Sequence, residues 1–145
     1  SPFDFNEVSA TGFLLAAAAR ANFLTLNEYE IYKRDQSDKR KKVPGRADLW
    51  MSGDELTYSF EFKRAWHAAT TKNLEATLSR ARGDIGAIES DESHYAAGVV
   101  LAYVQDESRI PRYRKFADHE KVDFAYRIGP AGETGAFLFF SLEGR

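Results

Sequence analysis

The sequence predicts an α/β (α+β) domain: a mixed β-sheet flanked by helices, in the order helix, three strands, helix, strand, closed by a C-terminal β-hairpin. Three observations predict it. Helical spacing of apolar residues occurs twice, over 6–22 and 70–88; strand-length stretches that alternate or run apolar fill the space between and after; and glycine-rich turns punctuate them. With 145 residues and 43% hydrophobic content, the chain is the size of one domain, 1–145, with apolar surface for one core.

The elements follow in order. Asn6 is placed to cap the first helix, Glu7 suits its positive end, and Ala16 to Ala19 have high helix propensity, with Gly12 the weak point. Leu24 to Tyr32 alternates as a strand whose alternation shifts near Glu28. Lys33 to Arg46 carries seven basic residues against two acidic ones and is read as a basic loop. Asp48 and Glu61 then stand on two strands separated by Ser52-Gly53-Asp54-Glu55, a hairpin turn. In the second helix Leu74, Leu78, Ala81, Ile85 and Ile88 share one side, and Lys72, Arg80 and Arg82 lie elsewhere. Tyr95 to Val104 is the near-continuous apolar run of a strand covered on both faces. Asp106 to Lys121, interrupted by Pro111, is read as an exposed loop with a short helix around Arg112 to His119. Val122 to Ile128 and Ala136 to Leu142 form the terminal hairpin.

Composition excludes several classes. There is no cysteine, so thiolate metal sites, disulfide frameworks and cysteine nucleophiles are ruled out. No run approaches the roughly 18 apolar residues of a membrane span, and Phe13 to Ala19 does not lead into a small-residue cleavage site, so the chain reads as soluble, without a membrane partner, and cytoplasmic. A net charge of −2 excludes bulk electrostatic binding of nucleic acid, and any such binding is local. The start at Ser1-Pro2 reads as a trimmed chain or as a domain excised from a longer protein.

The chemistry gathers at three residues. On a strand Glu61 and Lys63 share one face while Tyr58, Phe60 and Phe62 occupy the other, and the hairpin brings Asp48 close to Glu61. Two carboxylates and one ammonium at a sheet edge suit a divalent metal ion and a phosphate, the needs of phosphodiester hydrolysis. Asp48 and Glu61 fit a hard cation such as Mg²⁺ or Mn²⁺, which takes one or two carboxylates plus substrate oxygens. Lys63 has two open roles: a cation that stabilises the pentavalent transition state, or an activator of water if its pKa is lowered. The bland alternative is a solvated strand face with an ordinary ion pair. Phosphate contacts would come from Lys39, Arg40, Lys41 and Lys42 in the basic loop and from Lys72, Arg80 and Arg82 on the second helix. His67, His94 and His119 share no spacing and are read as surface or capping residues, Trp50, Trp66, Phe60 and Phe62 as core, and Phe137 to Phe140 as core or subunit interface.

An acid on the second strand and Glu-x-Lys on the third, in Gly45-Arg46-Ala47-Asp48-Leu49-Trp50 and Tyr58-Ser59-Phe60-Glu61-Phe62-Lys63, resembles the restriction-endonuclease-like PD-(D/E)xK superfamily over Glu7 to Val104. The resemblance implies a restriction-endonuclease-like core and a metal-dependent endonuclease or other hydrolase in which Asp48 and Glu61 bind the metal and Lys63 assists attack. It also implies the Phe62 carbonyl as a further metal ligand and Glu7 as the helical acid that joins such sites. Ala47 stands where the family pattern has proline. The implied partner is nucleic acid, DNA before RNA. The terminal hairpin lies outside the common core, as a dimerisation or substrate-choice addition, and a homodimer fits because one small site cuts one strand. The rival reading is a catalytically silent nuclease-like module for nucleic-acid binding or assembly.

Overall fold

The computed structural model describes residues 7–35, 37, 38, 40–65, 69–88, 91–129 and 135–144. Within them run α1 (Glu7–Arg20), β1 (Leu24–Arg34), β2 (Lys42–Gly53), β3 (Leu56–Ala65), α2 (Thr71–Gly86), β4 (Tyr95–Val104), α3 (Ile110–Ala117), β5 (Phe124–Ile128) and β6 (Gly135–Leu142). Asp54 and Glu55 turn β2 into β3 with φ of 52° and 66°. Two successive positive φ values make the two-residue turn whose twist matches the flanking strands, so this hairpin has a defined register.

The strands form one mixed sheet in the order β1-β2-β3-β4-β6-β5, in which only β3 and β4 are parallel. That parallel step needs a crossover, which α2 supplies. Thr70 starts α2 with a capping box: its hydroxyl accepts from the Asn73 amide, and Asn73 Oδ1 accepts from the Thr70 amide. Successive residues of β4 point to opposite faces, and the helices divide accordingly. Val100 and Ala102 pack with Leu74 and Leu78 of α2, Tyr113 and Phe116 of α3, and Phe137 and Phe139 of β6. Val99 and Leu101 pack with Ala10 of α1, Leu49, Phe62 and Leu138. The result is a three-layer arrangement with β4 at its centre. A Cβ at Gly98 would lie 2.3 Å from the Arg82 nitrogen, so the glycine lets the α2 backbone settle on the sheet.

Three readings of the sequence are corrected. The basic loop is short: Lys33 and Arg34 end β1, Lys42 to Arg46 begin β2, and only residues 35–41 connect them. A hairpin arm polar on both faces has no apolar alternation to reveal it. The segment after β4 is not chiefly exposed loop, since Ile110, Tyr113 and Phe116 of α3 are buried, and Pro111 sits in the first turn, where its missing N–H costs nothing. The last hairpin's first strand starts at Phe124, not Val122. The alternation shift at Glu28 corresponds to a positive φ of 46° inside β1, after which pairing with β2 resumes in the same register. Asn6, Trp66 and His67 lie outside the described residues. Of the aromatic run, Phe137 and Phe139 are core, while Phe140 meets Phe60 and Tyr126 on the open part of the other face. Among the described residues no helix is long and apolar enough to cross a membrane.

Candidate active site

The β2–β3 ladder runs from Gly53 opposite Leu56 to Leu49 opposite Phe60. Beyond it, carboxylates take the place of strand carbonyls. The Phe62 amide donates to Asp48 Oδ2 at 2.7 Å, and the Arg64 amide, two residues on and so on the same edge, donates to Glu7 Oε2 at 2.8 Å. A strand residue directs its N–H and C=O to the same neighbour, so the Phe62 carbonyl faces the same gap as its amide. A cavity of about 90 Å³ lies beside Asp48 and is lined in part by Glu7, Glu28 and Asn27. A space of that size has room for water.

Glu61 points to the α2 side and is 7% exposed. Lys63 Nζ stands 3.3 Å from Glu61 Oε1 and 3.0 Å from Asp84 Oδ2, and Lys33 Nζ stands 3.8 Å from Glu61 Oε2. The charges therefore alternate: Lys33, Glu61, Lys63, Asp84. Lys33 reaches across β2 because Gly45 has no side chain; a Cβ there would lie 2.7 Å from Lys33 Cδ. Burial, and then the nearby Asp48 carboxylate, push the Glu61 pKa up despite both lysines. Its Oε2 is buried with no hydrogen-bond partner among the described residues. For Lys63 burial pulls the pKa down, but the Asp84 and Glu61 carboxylates together outweigh it and hold the pKa above the usual lysine value. Of its two roles, this favours the fixed cation.

Asp48 and Glu7 thus bond the β3 main chain at the end of the β2–β3 ladder, beside Phe62, while Glu61 and Lys63 stand on the α2 side of the same strand, with Asp48 near enough to act on the Glu61 charge. Arg40, Lys41 and Lys42 are exposed at the tip of the β1–β2 hairpin, close in sequence to the Lys33 that touches Glu61, whereas Lys39 lies outside the described residues. The α2 cations are not gathered there. Lys72 is exposed in the first turn, about 18 Å along the helix from Asp84 at 1.5 Å per residue. Arg80 contacts Thr77, and Arg82 pairs with Glu143. The sequence reading missed Lys33 as a site residue, because it was counted into a loop, and Asp84, which no motif marks. His94 Nδ1 accepts from the Thr57 amide and His119 stands beside Glu75, both away from the site.

No three His, Cys, Asp or Glu side chains among the described residues are arranged to hold an ion by themselves. Any ion here would rest on Asp48, Glu61, the Phe62 carbonyl and oxygens of water or substrate, the mixture magnesium accepts. Comparison with protein-family models, with curated proteins and with solved structures gave no match.

Proposed function

We propose that this chain is a metal-dependent nuclease with a restriction-endonuclease-like core, an endonuclease that hydrolyses phosphodiester bonds of DNA in the cytoplasm. The observation that carries the reading is that Asp48 bonds the amide of Phe62, the residue next to Glu61, while Lys63 Nζ stands 3.3 Å from Glu61 Oε1. A Glu61 whose charge is disfavoured by burial and by the Asp48 carboxylate, and whose buried Oε2 accepts no hydrogen bond among the described residues, suits a divalent cation. Asp48, Glu61 and the Phe62 carbonyl would hold Mg²⁺ or Mn²⁺, with Glu7 beside them. The ion, when bound, supplies Lewis-acid polarisation of a phosphoryl oxygen and of water.

The chain's own residues account for the rest. Lys63 stays cationic and is aimed by Glu61 and Asp84, so it offers fixed positive charge to the phosphoryl oxygens as negative charge builds on them. Arg40, Lys41 and Lys42 contact the backbone of the bound strand without reading its sequence. Two copies, one per strand, would cut a duplex.

One observation favours a second reading, a catalytically silent module for nucleic-acid binding or assembly. Asp48 and Glu7 already hold main-chain amides, and Lys63 is neutralised by two carboxylates, so each has a structural task. Incubation with labelled single- and double-stranded DNA and RNA, with and without Mg²⁺ or Mn²⁺, separates the two. The nuclease reading expects cleavage only with metal and its loss in Glu61→Ala and Lys63→Ala. Binding without cleavage supports the silent module, and neither cleavage nor binding removes both.

A further inference from the structure

At ~100° per residue, Ser79, Arg82 and Gly86 lie on one flank of α2 and Asp84 on the opposite one. On the Arg82 flank a cavity of about 420 Å³ opens between the helix and the end of β6, lined by Ser79, Arg82, Gly86, Lys121, Ser141 and Glu143 among others. The volume falls in the range of small-molecule sites. It persists partly because Gly86 lacks a side chain: a Cβ there would approach the Glu143 carboxylate at 3.3 Å.

The lining is rich in donors. Ser141 shares the α2 face of the sheet with Phe139, is 1% exposed, and its Oγ has no hydrogen-bond partner among the described residues. Arg82 Nε faces Glu143 Oε2 at 3.7 Å, too long for a hydrogen bond. Lys121 Nζ donates to Glu75 Oε1 at 2.8 Å and lies 3.4 Å from Ser79 Oγ. Two cations and two hydroxyls therefore line one hollow, Arg82 only loosely paired with the lining Glu143 and Lys121 bonded to Glu75.

We infer that this cavity binds a phosphate group, either free phosphate or a terminal phosphate monoester. A dianion can take Arg82 from its loose pair and share Lys121 with Glu75, where a carboxylate would merely repeat Glu143, and its oxygens can accept from the Ser141 and Ser79 hydroxyls as well. The space beyond the phosphate accommodates the group it is esterified to. Arg82 is freed to engage it as its long contact with Glu143 gives way. The inference does not rest on the nuclease reading, since Asp48, Glu61 and Lys63 take no part.

The test is calorimetric titration of the whole chain with inorganic phosphate, with a 5′-phosphorylated dinucleotide, and with the same dinucleotide ending in a 5′-hydroxyl. Saturable one-to-one binding is expected for a phosphate-bearing probe and none for the hydroxyl twin; tighter binding of the dinucleotide identifies a strand end as the source, tighter inorganic phosphate the free ion. Arg82→Gln is expected to weaken binding about tenfold or more, as loss of a charge-assisted hydrogen bond does. Ser141→Ala weakens it too. Glu143→Gln is expected to tighten it, a gain that misfolding does not produce. No saturable binding of either phosphate probe, equal binding by Arg82→Gln, or weaker binding by Glu143→Gln would overturn the inference.

Discussion

Asp48 has a structural duty that can be weighed separately from chemistry. Its Oδ2 accepts from the Phe62 amide at 2.7 Å, and Phe62 is buried at 4% exposure, so Asp48→Ala leaves that N–H without an acceptor. An unsatisfied buried amide costs about 1–3 kcal/mol. Part of the loss is offset, because the substitution also removes the charge that pushes the Glu61 pKa up. The net expectation is a destabilisation of about 1–2 kcal/mol, or a fall of roughly 3–8 °C in Tm for a domain of this size. Asp48→Asn keeps an acceptor oxygen while losing the charge, and is expected to stay within about 0.5 kcal/mol of the parent, the size of an ordinary tolerated change. Urea and thermal unfolding of the three proteins at pH 7 measure this. An alanine variant as stable as the parent, or an asparagine variant as damaged as the alanine one, would refute the reasoning that this carboxylate completes the β3 edge.

Glu61 gives a pH signature. Its folded pKa is raised, so the folded state binds a proton more tightly than the unfolded state; the stability this contributes is fully present below the unfolded carboxyl pKa and is lost as pH rises through the raised folded value. Glu61→Gln is therefore expected to flatten the fall in stability above about pH 4.3, the unfolded reference, and denaturant midpoints across that range read it. At Gly98 an added methyl meets the α2 backbone at 2.3 Å, so Gly98→Ala should cost about 1–3 kcal/mol or more by overpacking. Gly12→Ala, with nothing near its Cβ, should instead stabilise α1 by up to about 1 kcal/mol. Because α3 is core rather than exposed loop, Phe116→Ala is expected to cost about 3–5 kcal/mol, measured by the same unfolding assay.

What was legible in the sequence is what local patterning controls. The Glu61 and Lys63 face, the turn at Asp54 and Glu55, the α2 stripe from Leu74 to Ile85 and the doubly buried β4 all follow from periodicity and turn chemistry, whereas Ile88, read into that stripe, lies past the end of α2 at Gly86. Even the break at Glu28 left a trace in the alternation. Residues whose roles are tertiary left none. Lys33 and Asp84 meet Lys63 and Glu61 only because β1 and the last turns of α2 converge beside β3. The capping of the β3 edge by Asp48 and Glu7 depends on where β2 stops pairing, which register alone does not announce. Pro111 misled for a different reason: it breaks a helix interior but suits a helix's first turn, and Ile110, Tyr113 and Phe116 at three-residue spacing were the stronger signal.

The central claim is that Asp48 and Glu61 share one divalent cation. Titration of the chain with Mn²⁺, followed by electron paramagnetic resonance of the free ion, tests it without requiring any substrate. One bound ion per chain, displaced by Mg²⁺ and lost in both Asp48→Asn and Glu61→Gln, is the expected result; no saturable binding, or binding that survives both substitutions, would contradict it.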